Sequence, residues 1–151
     1  MGRILFVCTG NYYRSRFAEI YFNVLSDKHH INWEAFSRGF RTSGLNKGLI
    51  SPHTIQQLDL LKIPLPENLG RPKNLGTLDL HSADMVIALD EDEHRPFVKE
   101  HFPNWEHKFN FWQIKDIQFE LSASALEKLK DQVTGSSLNI VCASKVLCLL
   151  K

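Results

Sequence analysis

The chain has 151 residues, 43% of them hydrophobic, and its 18 Lys+Arg and 17 Asp+Glu leave a formal charge of +1. That length suits one domain (1–151) with a full core. The charge balance shows neither the basic excess of a nucleic-acid partner nor an acidic tail, so any anion site must be local.

Other compositional signals narrow the class further. Cys8, Cys142 and Cys148 form an odd, widely spaced set that matches neither a disulfide framework nor a zinc site, which points to a reducing compartment. The seven histidines show no metal-ligand spacing, and His29-His30 reads as a solvated helix end. The start "MGRILFVCTGNYYRS" is too short in apolar residues for a secretory leader, and no stretch approaches the roughly 18 apolar residues of a membrane span. The expectation is a soluble cytoplasmic protein with no membrane or nucleic-acid partner.

Strand and helix signals alternate along the chain. "RILFVCT" reads as a buried strand, "GNYYRS" as a loop, and "RSRFAEIYFNVLSDK" as a helix with Phe17, Ile20, Tyr21, Val24 and Leu25 on one face. "INWEAFSRG" reads as a second strand ending at Gly39. "SPHTIQQLDLLKI" reads as a second helix with Ser51 as N-cap and Pro52 at its first position. "ADMVIALD" is a third strand, "EDEHRPFVKEHF" a helix limited by Pro96 and Pro103, and "EHKFNFWQI" the source of a fourth strand. "SASALEKLKDQVTG" closes the series as an amphipathic helix with Gly135 as C-cap. "FRTSGLNKGLI" and "PLPENLGRPKNLGTLDL" read as loops. The tail "SSLNIVCASKVLCLLK" fits an extra strand, a helix extension or a partner contact, and periodicity does not choose. Such alternation predicts a parallel sheet with helices on both faces and its chemistry at the carboxyl ends of the strands.

"CTGNYYRS" sits at such an end. A loop between a strand and a helix aims successive N–H groups at an anion, and the helix N-terminus adds its positive dipole end. The field that holds a phosphate also favours a nucleophilic thiolate, here from Cys8. Arg14 can take two phosphate oxygens through its planar fork. Gly10 permits close approach or positive φ, Asn11 tolerates left-handed geometry and can bond across the loop, and Ser15 offers a hydroxyl to the sulfur. A lone cysteine would more often be a small buried hydrophobe; strand, loop, Arg-Ser and helix together make the chemical reading the stronger one.

This constellation resembles the low-molecular-weight protein tyrosine phosphatases, whose signature is Cys, five residues, Arg and Ser near the N-terminus. "FSRG", "SPHTIQQLDLLKI" and "ADMVIALDEDEHR" are similar to the family's second-strand ending, second helix, and third strand with its acidic turn. The resemblance runs from about Arg3 to about Gly135 and leaves 136–151 as an apolar tail. It implies a single α/β domain with a central four-stranded parallel sheet of order 2-1-3-4, and hydrolysis of phosphomonoesters without metal or cofactor. Cys8 would be the nucleophile, Arg14 the phosphate anchor and Asp116 the general acid. Thr9, Gly10, Asn11, Tyr12, Tyr13, Arg14 and Ser15 would form the phosphate loop. Asp90 and Asp92 are rival carboxylates, read as supporting the loop or capping a helix.

Four positions depart from the family pattern. Asp116 precedes Ile117 where the family has proline, which removes a rigid φ. Tyr12 is neither the aliphatic residue of phosphotyrosine-directed members nor the threonine of phosphoarginine-directed ones; with Phe40, Trp112 or Phe119 opposite, it could sandwich a phenyl ring or narrow the mouth. Tyr13 replaces a protective second cysteine, and Arg16 replaces a proline and adds charge beside the loop. The expected ligands are a phosphorylated protein or small aryl phosphate, with inorganic phosphate as product and competitor. The principal reading is a protein tyrosine phosphatase acting through a cysteinyl phosphate. A phosphate- or phosphoprotein-binding module with weak turnover is the alternative. Arsenate reductase, for which "DLHSAD" lacks the necessary thiols, and phosphoarginine phosphatase stand behind these.

Overall fold

The computed structural model describes residues 1–116 and 122–149. Its four strands, β1 (Gly2–Cys8), β2 (Trp33–Gly39), β3 (Met85–Ala88) and β4 (Phe109–Phe111), form one parallel sheet of order β2-β1-β3-β4. Helices α1 (Arg14–His29), α2 (Pro52–Leu60), α3 (Thr77–Ser82), α4 (Glu91–His101) and α5 (Ser122–Leu149) flank it. The expected fold class and strand order are those observed.

Period-2 alternation in β1 divides the core. Ile4, Phe6 and Cys8 point to one side, with Phe17, Phe22 and Leu25 of α1, Leu58 of α2, and Leu126, Leu129 and Val133 of α5. Leu5 and Val7 point to the other, with Leu80 of α3 and Val98 of α4. Each fully buried Phe or Leu contributes about 1.5–3 kcal/mol relative to exposure. Cys8 therefore ends the central strand on the α1 side, where the next segment must turn into the α1 N-terminus. Gly39, paired with Cys8 at the end of β2, lies so close to the turn that a Cβ would meet the Thr9 carbonyl at 2.7 Å and the Asn11 nitrogen at 2.9 Å. Only glycine lets β2 support the loop so closely.

Several boundaries differ from the sequence-based expectation. Ser51 caps α2 as expected, its Oγ accepting from the His53 N–H at 3.2 Å, with Pro52 following. α4 passes through Pro96 and ends at His101, because the missing proline N–H costs one hydrogen bond while Val98 on the same helix is fully buried. A 3-10 turn over Pro103–Lys108 shortens β4 to three residues. α3 arises inside a segment read as loop; Asp79 accepts from the Gly76 N–H at 2.9 Å, and Leu80 anchors it in the core.

Gly135 does not end α5, and the tail as far as Leu149 continues the helix. Leu126, Leu129, Val133, Ser137 and Ile140 recur at helical spacing and are all buried, so tertiary packing outweighs the roughly 1 kcal/mol penalty of one glycine. The Tyr21 and Thr134 hydroxyls, 3.2 Å apart, tie α5 to α1 across this face. Among the described residues no helix is long and apolar enough to cross a membrane.

Gly135 is exposed, and nothing lies within 4 Å of where its Cβ would sit. Gly135→Ala should therefore stabilise the protein by about 0.5–1 kcal/mol in denaturant unfolding. A C-capping glycine in left-handed geometry would give a loss instead.

Candidate active site

The turn after β1 is held by Asn11, which is 1% exposed and adopts φ 50°. Its Nδ2 donates to Ser15 Oγ at 3.0 Å and Ser37 Oγ at 2.8 Å, while its Oδ1 accepts from the Lys73 N–H at 3.0 Å. One amide thus joins the loop to α1, β2 and the segment before α3. Because Asn11 donates to it, the Ser15 hydroxyl is free to direct its hydrogen to Cys8 Sγ, 3.0 Å away. Gly10 makes no use of the left-handed region, and the nearest side-chain atom to a Cβ there is 3.8 Å away.

Tyr13 occupies the N-cap position of α1, which has no side-chain cap and no acidic residue in its first turn. The leading N–H groups of a 16-residue helix therefore face the loop without a side-chain acceptor. The two tyrosines brace this arrangement. Tyr13 is 7% exposed, stands edge-on to His53 with ring centroids 6.2 Å apart, and its carbonyl accepts from Thr54 Oγ1 at 2.9 Å. The Tyr12 carbonyl accepts from the Ser51 N–H at 2.8 Å, and its hydroxyl donates to the Lys47 carbonyl at 2.6 Å. α2 and the segment before it are thereby drawn over the loop.

Arg14 lies at the centre and is 1% exposed. Its Nη1 donates to Glu93 Oε2 at 2.7 Å and to the Ile114 carbonyl at 2.9 Å. Its Nη2 is 3.5 Å from Asp116 Oδ2, and its Nε is buried without a hydrogen-bond partner. The Nε/Nη2 edge is the one suited to bidentate capture of an oxyanion. Burial opposes the Arg14 charge, but the charges of Cys8, Glu93 and Asp116 outweigh it and hold the guanidinium pKa above its usual value.

The acidic turn after β3 supports this arginine. Asp90 caps α4, its Oδ1 accepting from the Asp92 N–H at 3.3 Å, as read from sequence. Glu93 accepts from Arg14 with Oε2 and from Thr9 Oγ1 with Oε1, the latter at 2.7 Å. Burial would raise the Glu93 pKa, but bonding to Arg14 more than compensates and the carboxyl lies below its ordinary range. His94 Nδ1 accepts from the Asp90 N–H at 3.0 Å, so the neutral ring carries its proton on Nε2, 3.1 Å from Thr9 Oγ1. Burial and the Arg14 charge push the His94 pKa down to about 3.

Arg16 is 5% exposed rather than a free surface charge. Its Nε donates to the Asn11 carbonyl at 3.2 Å and its Nη2 to the Gly70 carbonyl, which binds residues 64–73 to the loop. Burial lowers its pKa.

Cys8, Gly10, Tyr12, Tyr13, Arg14 and Asp116 line one cavity of about 370 Å³, together with Asn46 and His53. Phe40 and Trp112 do not line it. Phe40 stacks on Phe97 at 5.3 Å and contacts His94 at 5.2 Å, within the core on the far side of the sheet. Trp112 leans on Phe6 at 5.9 Å, because the chain after β4 stays bonded to the end of β3 and turns the indole inward. Phe119 and Ile117 lie outside the described residues, as do the side chains of Cys142 and Cys148. Among the described residues no group of three His, Cys, Asp or Glu side chains is placed to hold a metal ion. Glu93, His94, Ser37, Asn46 and His53 were not singled out from sequence. Only the acidic turn carried a visible signal, since the others depend on which loops meet.

The chain belongs to the family described as low molecular weight phosphotyrosine protein phosphatase, whose family model matches residues 3–137. It is similar to the protein-arginine-phosphatase of Bacillus subtilis (strain 168), at 29% identity over 112 residues that span 70% of this chain and 66% of that protein. The YwlE arginine phosphatase, solved with a phosphorylated active-site serine, superposes with a TM-score of 0.77 at 21% identity, covering 91% of this chain and 95% of that one. The low molecular weight protein tyrosine phosphatase of T. tengcongensis gives 0.73 at 25% identity, with 95% and 99% covered.

The His94 shift sets an acid limit on stability. Between the usual value of 6.5 and the folded value of about 3, the unfolded chain binds a proton that the folded ring refuses. Stability should therefore fall on acidification through this window by about 1.4 kcal/mol per pH unit from this group alone. Denaturant unfolding at pH 5 and 7 should show a smaller difference for His94→Asn, which keeps an acceptor for the Asp90 amide.

Proposed function

We propose that this chain is a cysteine-dependent phosphomonoester hydrolase whose substrate is a phosphotyrosine-bearing protein or a small aryl phosphate. The observation that carries the reading is the buried, unpartnered Nε of Arg14 in a cavity shared with Cys8 and Asp116. An unsatisfied cationic donor at such depth is costly, and a phosphoryl oxygen satisfies it.

In the first step Cys8 Sγ forms a bond to phosphorus as the ester P–O bond breaks. The Nε/Nη2 edge of Arg14 and the α1 amides hold the equatorial oxygens, and Asp116 gives its proton to the leaving oxygen. Water then attacks the cysteinyl phosphate, Asp116 takes the water proton, and the S–P bond breaks to release inorganic phosphate and regenerate the thiolate. The Ser15 hydroxyl, 3.0 Å from Sγ, stabilises the sulfur anion at both ends of the cycle. Phosphate would compete with substrate for the same cradle, and a cytoplasmic setting accords with the free, buried Cys8.

Phosphoarginine is a second candidate substrate, because the curated relative is a protein-arginine-phosphatase. Tyr12 favours the aryl ester: its ring stands in the cavity wall, braced through its hydroxyl to Lys47.

Purified protein should hydrolyse p-nitrophenyl phosphate at pH 5 to 7 with or without EDTA. Cys8→Ser should abolish turnover, and Asp116→Ala should lower kcat by about 10²–10⁴. Full activity in Cys8→Ser would refute the mechanism. Comparing phosphotyrosine, phosphoserine and phosphoarginine peptides then decides the substrate class.

A further inference from the structure

We propose that Lys115 is a positioning residue for Asp116: its ammonium clamps the acid-bearing segment onto the N-terminus of α4 by bridging Asp90 and Asp92. The inference rests on Asp116 being the general acid, as set out above.

Lys115 Nζ donates to Asp90 Oδ1 and to Asp92 Oδ2, both at 2.9 Å. The two carboxylates are not equivalent. Asp92 is exposed, and an ion pair with it alone would be screened and weak. The Asp90 side chain is only 3% exposed, so its charge needs a close cation, and Lys115 provides it. Asp90 is itself held by several bonds. It caps α4, its N–H donates to His94 Nδ1, and its partner helix is packed through the fully buried Val98. The clamp thus has one end on rigid structure.

The other end is the segment leading to Asp116. Trp112 N–H donates to the Ala88 carbonyl at 2.9 Å and Ile114 N–H to the Leu89 carbonyl at 2.7 Å, which ties the chain after β4 to the end of β3 and the residue that follows it. The Ile114 carbonyl takes Arg14 Nη1 at 2.9 Å. Main-chain bonds thus hold the segment as far as Ile114. Lys115 is the next residue, and its bridge carries the restraint to the peptide directly before Asp116. Beyond Asp116 comes Ile117, whose φ is not locked by a ring. The ion pair thus supplies a restraint on the N-terminal side of Asp116, in a chain that has Ile117 where the family pattern has a proline.

The arrangement also gives Asp90 and Asp92 a role distinct from proton transfer. Both are held by Lys115, and neither lines the cavity shared by Cys8, Arg14 and Asp116.

A merely structural lysine would, when replaced, lower activity toward all esters alike. A positioning lysine should show in the leaving group, because protonation matters most for poor leaving groups. The test compares kcat/KM for phenyl phosphate and p-nitrophenyl phosphate in wild type, Lys115→Met, Lys115→Arg and Asp116→Ala. We expect Lys115→Met to lose on the order of 10-fold more with phenyl phosphate than with p-nitrophenyl phosphate, part of the full effect of losing a general acid. Lys115→Arg should restore most of the difference, and inhibition by inorganic phosphate should stay near wild type in Lys115→Met. Equal losses on both esters in Lys115→Met, beside a clear leaving-group effect in Asp116→Ala, would overturn the clamp alone. No leaving-group effect in Asp116→Ala would overturn the acid assignment and the clamp with it.

Discussion

The site depends on keeping the Arg14 guanidinium charged while it is almost entirely removed from water. A buried cation is tolerated only when paired and hydrogen-bonded, and the Arg14 partners come from distant parts of the chain: Glu93 from α4, the Ile114 carbonyl from the segment after β4, and Asp116 beyond it. Satisfying one edge of the guanidinium recruits the acidic turn, and the acidic turn fixes Thr9 through Glu93 and His94. The opposite edge is left with its Nε unpartnered. The same constraint therefore rigidifies the loop and makes it receptive to an anion.

Asn11 performs the corresponding task for the backbone. The turn after β1 is shaped by side-chain bonds from residues around it. One buried amide in left-handed geometry bonds to Ser15, Ser37 and the Lys73 N–H. Arg16 reinforces it from the other side by holding the Asn11 carbonyl and Gly70 together. Gly39 allows β2 to come near enough for Ser37 to take part.

Tyr12 and Tyr13 acquire a mechanical meaning that their place in the loop did not suggest. Tyr13 is a core residue under α2, and Tyr12 is a strut whose hydroxyl holds the Lys47 carbonyl. The cavity beside Cys8 is consequently lined by Tyr12, Asn46 and His53, not by Phe40 or Trp112. Phe40 was legible as a large aromatic next to a strand end, but not the face of the sheet to which it belongs. One residue past Gly39 the Phe40 backbone still bonds to Cys8, while its ring stacks on Phe97 of α4. Trp112 was misplaced for a related reason: main-chain bonds to Ala88 and Leu89 hold the chain past β4 against the end of β3, with the indole on Phe6.

What the sequence determined by itself is local and periodic: a buried strand ending in Cys8, a loop of the right length before Arg14-Ser15, alternating strands and helices, and the Ser51-Pro52 helix start. These follow from short-range sterics, hydrophobic spacing and loop length, which act over a few residues at a time. The tertiary structure decided everything that needs two distant segments to meet. That Glu93 would pair with an arginine 79 positions earlier, that Lys115 would reach Asp90, and that Gly135 would be carried through a helix by the buried stripe around it all depend on crossovers that bring surfaces together. Side chains select their partners only after the sheet order has placed them within a few ångströms, and no pattern along the chain encodes that proximity.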